Sequence, residues 1–114
     1  MSIAVPRVRA GYTVDFRLGG EAATLTASAL PDGRLGDVAL RAGKHGSTLS
    51  GMTEAFATAM SVALLHGAPL GVLADEMRGR RFAPAGHTDD EEVGRASSLA
   101  DYVACRLTAD FPAE

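Results

Sequence analysis

Apolar and polar residues alternate along the first third of the chain, with the period of two that is typical of a half-buried β-strand. Four apolar residues share one face of the first run: Tyr12, Val14, Phe16 and Leu18. Gly19-Gly20 follows as a strong hairpin-turn signal. A second run covers 22–29 and a third covers 35–40, with Pro31-Asp32-Gly33 as a turn between them. The pattern predicts three strands.

Beyond Gly46 the spacing of apolar residues changes to that of an amphipathic helix. The stripe predicted for this longest helix contains six residues: Leu49, Met52, Phe56, Met60, Ala63 and Leu64. Gly67 is a natural left-handed cap at the end of this helix. Pro69 suits the first turn of a second helix, which ends at Gly79.

The last third of the chain predicts a loop and then a third helix. The loop covers 80–95, where arginine, glycine and proline surround the acidic run 89–92, which we expect to be solvated. The helix begins at Ser98, with Asp101 placed as in a short variant of the capping box. Its apolar stripe contains five residues: Leu99, Tyr102, Val103, Leu107 and Phe111.

Strands come first and helices second, which is the order typical of the α+β class. We predict a small three-stranded antiparallel sheet followed by about three helices that pack on one of its faces. The 114 residues fit a single domain over 1–114, with its core over about 8–111. Hydrophobic residues make up 46% of the chain, which is enough for one modest core and too many for a disordered protein.

Charge and cysteine content exclude several classes of function. The net charge of −3 argues against a protein that binds nucleic acid by bulk charge. No apolar stretch reaches the roughly 18 uninterrupted residues of a membrane span, and residues 1–10 lack the apolar core of a signal peptide. The single cysteine, Cys105, provides neither a disulfide nor a redox pair, and we expect an inert buried thiol. We therefore expect a cytoplasmic protein without a membrane partner.

The segment 43–48, Gly-Lys-His-Gly-Ser-Thr, is the first candidate binding site. It lies between the third predicted strand and the longest helix, where free backbone amides and the positive helix end favour an anion. Its spacing does not match the phosphate-loop pattern. Two interpretations stay open: Ser47 or Thr48 only caps the helix, or the turn also binds an anion. The residues of that anion site would be Lys44, His45, Gly46, Ser47 and Thr48.

A second candidate is a group of three arginines close to Phe82: Arg78, Arg80 and Arg81. Guanidinium groups bind phosphate and carboxylate, so Arg80 and Arg81 are included in the candidate anion site. The alternative is a solvated helix end, with Arg81 paired to Asp89 or Glu91 and with Phe82 in the core.

Neither metal binding nor catalysis is predicted from the spacing of reactive side chains. The histidines are far apart in the sequence, at positions His45, His66 and His87, and no pair has the spacing of metal ligands. No nucleophile, base and orienting acid form a recognisable set. We expect no catalytic residue, no metal and no cofactor.

Six blocks follow one another along the chain in a specific order and spacing. They are Gly11-Tyr12-Thr13, Asp32-Gly33-Arg34, 43–48, 61–70, 81–86 and 98–102. Together they resemble the TSCPD domain over about residues 8–111. That module is found near the C-terminus of many class II, adenosylcobalamin-dependent ribonucleotide reductases, and also as small free-standing proteins.

The resemblance implies a bacterial, free-standing relative of a reductase domain, connected with DNA synthesis but without the reductase chemistry. The catalytic barrel, the radical-bearing cysteine and the paired reducing cysteines have no counterpart in this sequence. We also expect no Cys-rich tail of the kind that follows this module in the large enzymes. One thiol cannot supply two electrons, so any reductase activity assigned by similarity would belong to the parent enzyme.

Our leading hypothesis is therefore a non-catalytic accessory or regulatory module. Its ligand is expected to be a nucleotide phosphate at Lys44, Ser47, Thr48 and Arg81, or a reductase partner, while a nucleic-acid partner is not expected. The first alternative is a self-associating structural protein, since an exposed sheet edge and apolar helices favour a homodimer. The second alternative is an enzyme with unrecognised chemistry.

Overall fold

The alternating segments form the predicted sheet in a computed structural model that describes residues 5–111. Three strands pair antiparallel in chain order: β1 (Gly11–Leu18), β2 (Glu21–Ala29) and β3 (Leu35–Ala42). Gly19 and Gly20 both have positive φ in the β1–β2 turn. The ends of the domain predicted over 1–114, residues 1–4 and 112–114, lie outside the described residues.

Three helices follow the sheet: α1 (Thr48–Leu65), α2 (Leu70–Met77) and α3 (Leu99–Asp110). The α+β class and the three-stranded sheet are confirmed. The segment predicted as a loop also contains a two-residue hairpin, β4 (Gly86–His87) with β5 (Arg95–Ala96). The turn at Gly19 needs glycine because a Cβ there would lie 2.2 Å from the carbonyl oxygen of Ala85, just before β4.

The core lies between one face of the sheet and the helices. Cross-strand neighbours on this face include Val14, Leu25 and Leu40, of which the last two are buried. The rings of Phe16 and Tyr102 stack with centroids 3.8 Å apart, which joins β1 to α3. The opposite face carries Thr13 and Thr26, whose hydroxyls lie 2.9 Å apart at the surface. The helices therefore cover one face, as the alternation of the strands predicts.

The buried stripe of α1 differs from the predicted stripe. Met52 was expected in the core but is 64% exposed. Met60 and Leu64 are buried as predicted, and they are joined by Thr53 and Ala57, which lie outside the predicted stripe. The reason is the position of α1 beside β3: the small side chains of Ala57 and Ser61 face the strand, and the Ser61 hydroxyl accepts a hydrogen bond from Val38 N at 2.9 Å. Close approach of the helix to the strand selects small residues at the positions that face β3.

The caps of α3 show how the helices are joined. The Ser98 side chain accepts from Asp101 N at 3.0 Å, which confirms Ser98 as the N-cap. In a capping box the Asp101 carboxylate would accept a hydrogen bond from the backbone N–H of Ser98, but here it does not. It accepts instead from Ser97 N and from Gly79 N, at 3.0 and 2.8 Å, so it fixes the end of α2 to the start of α3.

Arg106 on α3 is the centre of a buried ionic cluster. The residue is only 7% exposed. Its Nε and NH2 groups donate to the two carboxylate oxygens of Asp110 at 2.8 and 2.9 Å, and NH1 donates to Asp90 at 2.9 Å. The hydroxyls of Tyr12 and Tyr102 donate to Asp110 and Asp90 respectively. The cluster thus joins β1, α3 and the loop that carries Asp90.

Asp90 contradicts the expectation that the whole acidic run is solvated, since its side chain is only 10% exposed. Burial by itself would raise the pKa of Asp90. The hydrogen bonds from Tyr102 and Arg106 outweigh burial, and the pKa lies below the ordinary 3.8. Asp110 behaves in the same way: burial raises its pKa, but the hydrogen bonds from Arg106 and Tyr12 lower the pKa by more, so it also lies below 3.8.

We predict that this cluster makes the protein less stable in acid. Because the folded pKa values of Asp90 and Asp110 are depressed, their stabilising effect is present above pH 3.8 and is lost as the pH falls through the folded values. At neutral pH, Arg106→Met should lower the free energy of unfolding by about 3 kcal/mol, because it leaves two carboxylates unpaired. Urea unfolding across a pH series measures both effects.

The difference in the free energy of unfolding between the native protein and R106M should become smaller as the pH falls and the carboxylates become protonated. The matched control is Arg81→Met, which removes an exposed cation and should change the free energy of unfolding little at any pH. If this difference in the free energy of unfolding stayed constant from neutral to acid pH, the cluster would stabilise the fold by packing alone.

Candidate functional site

The turn that carries most of the predicted site residues is held by a helix cap. Ser47 is the N-cap of α1, and its hydroxyl accepts from Ser50 N at 3.1 Å. Gly43 has a φ of 78°, and a Cβ there would lie 3.0 Å from the Ser47 hydroxyl oxygen. Glycine at this position therefore leaves the Ser47 hydroxyl the space that it needs to cap the helix. Of the two capping residues that the sequence allows, the structure selects Ser47, while Thr48 is exposed as the first helical residue.

Lys44, His45 and Gly46 lie at the exposed tip of this turn. Within residues 5–111, the side chains of Lys44 and His45 form neither an ion pair nor a hydrogen bond. The positive end of α1 and an unpaired ammonium group are thus on the same turn. This arrangement can bind an anion electrostatically.

A groove of about 520 Å³ runs from this turn along the free edge of β3. One wall is formed by β3 from Val38 to Ala42, and the other is formed by α1. The helix contributes four lining residues: Ser50, Glu54, Ala57 and Thr58. His45 lies at the end of the groove that meets the turn, so the turn and the groove form one continuous surface.

Arg41 is the cation on the strand side of the groove. It is exposed, and within the described part of the chain its guanidinium has no ion pair. It stands opposite Thr24 in the register of β2 and β3. Together with Lys44 and His45 it makes this end of the groove rich in nitrogen donors, and Glu54 on the helix side is the acidic group that lines the groove.

The three arginines of the second candidate point to three different places. Arg78 donates to Thr108 and to the Cys105 sulfur on α3, at 3.1 and 3.6 Å. Arg80 turns back to its own helix, where Nε donates to the Glu76 carbonyl at 2.8 Å and NH2 lies 3.6 Å from the Glu76 carboxylate. These contacts match the interpretation of a helix end stabilised by cations.

Arg81 lines a separate cavity of about 590 Å³, together with Phe82 and Arg95. This cavity shares no lining residue with the groove. Phe82 is 49% exposed, so the expectation that it belongs to the core is wrong. Among residues 5–111, Arg81 forms no ion pair with an acidic residue, and the Asp89 carboxylate instead accepts from Arg17 N.

The remaining reactive side chains in residues 5–111 include one thiol and the imidazole of His87. Cys105 is partly rather than fully buried, and burial together with the nearby Asp101 raises the pKa of its thiol, which disfavours the reactive thiolate. His87 accepts from Arg95 at 2.7 Å if its Nε2 is unprotonated. Across residues 5–111, no three His, Cys, Asp or Glu side chains are arranged to hold a metal.

The sequence pattern did not reveal the groove, its cation Arg41, or the contact of Ser61 with β3. Arg41 follows the run predicted as the third strand, which extends two residues further, to Ala42. Ser61 interrupts an apolar helix, and a hydroxyl in that position was the available signal of a polar contact with a neighbouring strand.

Comparison with known proteins gives the same domain over nearly the whole chain. The family model for the TSCPD domain matches residues 2–111. A protein of Streptomyces avermitilis named vitamin B12-dependent ribonucleotide reductase is 45% identical over 107 residues, which are 94% of this chain and 11% of that protein. Proteins of the same name from Rhodopirellula baltica and Agrobacterium fabrum are 36% and 31% identical over 94% of this chain.

The chain spans only a small part of these curated relatives, 10% of the Rhodopirellula baltica protein and 8% of the Agrobacterium fabrum protein. No solved structure matches the chain.

We predict that Ser47→Ala lowers the free energy of unfolding by about 1 kcal/mol, because the substitution removes the N-cap of α1. Ser47→Asp should retain most of the stability, since a carboxylate at an N-cap accepts the same backbone hydrogen bond. Urea unfolding of both variants measures the difference. If S47A were as stable as the native protein, the cap would not hold the turn.

Proposed function

The chain belongs to the TSCPD domain family, and from that premise we propose that it is a non-catalytic accessory or regulatory module of a cobalamin-dependent ribonucleotide reductase. Its partner in this proposal is the reductase, and its place of action is the cytoplasm. The observation that carries the proposal is the family relation combined with the presence of a single cysteine in the sequence. A reductase needs two electrons from a thiol pair, and this sequence contains Cys105 alone.

We infer further that the module binds a nucleotide through its phosphates at the turn 44–48. Three features support this: the N-terminal end of α1, the unpaired ammonium group of Lys44, and the neighbouring cation Arg41. Arg80 and Arg81, which the sequence placed in the same site, do not line the groove beside this turn: Arg80 is bonded to Glu76, and Arg81 lines a separate cavity. The hydroxyl of Thr48 is exposed and is available to a phosphate oxygen.

The apolar face of α1 favours a homodimer as a second property. Four exposed small or apolar residues follow the helical period along it: Met52, Ala55, Ala59 and Val62. Only 22% of this helix is buried, and its mean hydropathy of 1.2 reaches the range of a membrane helix. Length and composition alone are weak evidence of a membrane span. The bond between Ser61 and β3 instead supports a helix that stays on the sheet.

We predict that ATP and dATP shift the backbone amide NMR signals of residues 44–48 at millimolar concentration, because phosphate oxygens would accept from the amides of this turn other than that of Ser47, which donates to the Lys44 carbonyl. Lys44→Met should weaken this binding about tenfold, since it removes the charge of the turn. Arg7→Met is the matched control, because it removes an exposed cation outside the turn and should leave the affinity unchanged.

Shifts confined to other residues, or none at millimolar nucleotide, would contradict the nucleotide site. An equal effect of K44M and R7M would mean that only the net charge matters. Conversion of ribonucleotides to deoxyribonucleotides by the purified chain would contradict the non-catalytic role.

We predict that the protein sediments as a dimer at high micromolar concentration, with α1 at the interface. Val62→Glu should shift the equilibrium to the monomer, because the carboxylate would be buried between two apolar faces. Val8→Glu changes the most exposed valine, far from α1 in sequence, and should leave the dimer intact. A native protein that sediments as a monomer would contradict self-association.

A further inference from the structure

The outer edge of β3 is only half covered. Val38 N donates to the Ser61 hydroxyl, which also lies within 3.0 Å of the Val38 carbonyl oxygen. The backbone groups of Val38 therefore point away from β2. Since alternate residues of a strand direct their backbone groups to the same side, Leu40 and Ala42 also present theirs outwards. Within residues 5–111 these outward groups of Leu40 and Ala42 have no protein partner.

The opposite edge of the sheet is protected where the β1–β2 turn begins. Arg17 N donates to the Asp89 carboxylate at 2.8 Å, and Leu18 is bridged to Thr88. Gly19 N donates to the His87 carbonyl. Exposed strand edges invite pairing with another chain, and proteins commonly cover them. The fold covers this part of β1 and the Val38 end of β3. The stretch from Leu40 to Ala42 is an open part of an edge that also lines the groove beside α1.

The groove fits an extended peptide better than a second copy of the domain. Symmetric pairing of two β3 edges needs the whole edge, and α1 occupies it at Val38 through Ser61. A single extended segment needs only the space between β3 and α1, which is the groove of about 520 Å³. Grooves between an edge strand and a helix bind peptides by main-chain hydrogen bonds, with specificity from alternate side chains.

We propose that an extended acidic segment of a partner protein binds in this groove as a fourth strand, paired with Leu40 and Ala42. Its side chains alternate between the two faces of the sheet. The side chains of the bound segment that point to the outer face would lie beside Arg41, and those near the turn would lie beside Lys44. Arg41 has no ion pair within the described residues. Acidic side chains at these positions supply the missing opposite charge.

Side chains on the inner face of the added strand meet α1. The helix wall there consists of Ala57, Thr58 and Ser50, with Glu54 among them. This wall accepts uncharged side chains and repels a carboxylate. The segment is therefore expected to alternate acidic and uncharged residues. The inference rests on the proposed function as a binding module, and it names the chemistry of the partner segment.

The free protein allows a first test without any ligand. All four residues from Ala39 to Ala42 lie opposite β2, but only the backbone groups of Ala39 and Arg41 point towards it, whereas the amides of Leu40 and Ala42 point outwards. Native-state hydrogen exchange should therefore be fast at Leu40 and Ala42 and slow at Ala39 and Arg41. Slow exchange at all four would show that the edge is already covered, and would overturn the proposal.

The second test uses a synthetic probe, a capped peptide of alternating valine and aspartate. At millimolar concentration it should shift the NMR signals of Leu40 and Ala42 and slow their amide exchange. Two control peptides separate the contributions: alternating valine and lysine should bind more weakly, and a peptide with methylated backbone nitrogens should not bind. Equal binding of either control, or no binding of the acidic peptide, would overturn the proposal.

Arg41→Glu should weaken binding of the acidic peptide about fivefold and favour the lysine peptide, because it reverses the charge beside the added strand. Arg7→Glu makes the same charge change outside the groove and should have no effect. An equal effect of both variants would mean general charge attraction. The NMR shifts of residues 44–48 on addition of nucleotide are measured in a separate titration. A peptide that does not bind would therefore contradict this proposal without contradicting the nucleotide site.

Discussion

The fold depends most on the ionic cluster around Arg106. The guanidinium is almost fully buried and binds Asp110 in a bidentate manner while it also binds Asp90. Removal of one partner from such a cluster costs about 3–5 kcal/mol, since buried charges would remain unpaired. The cluster also fixes an otherwise irregular acidic loop, whose neighbour Asp89 covers the edge of β1 at Arg17. A buried charge on α3 thus holds the loop that covers the Arg17 end of β1.

The other edge is shaped by the close contact between α1 and β3. Ser61 satisfies the backbone of Val38, and the small side chain of Ala57 lets the helix approach the strand. This packing has two consequences. It leaves Leu40 and Ala42 facing an open groove, and it turns part of the apolar surface of α1 towards solvent. Both proposed interaction surfaces, the groove and the outer face of α1, therefore follow from the same helix position.

The proposed binding surfaces require no reactive group, which agrees with the side chains that the chain provides. The turn 44–48 is suited to an anion by charge and by free amides, and the groove is suited to an extended backbone. The two are continuous at His45, so a nucleotide and a peptide bound there would influence one another through shared cations such as Arg41. A module of this kind would act by changing what its partner binds.

The sequence by itself determined the elements and their class. Strand alternation, the glycine turn at Gly19-Gly20 and the Ser98 cap are local signals, because they depend on residues close together in the chain. The tertiary structure decided the buried stripe of α1, the burial of Asp90, and the separation of Arg81 from the turn 44–48. Each of these depends on which element packs beside which. A local pattern does not contain that information, since burial and pairing arise only when distant segments meet.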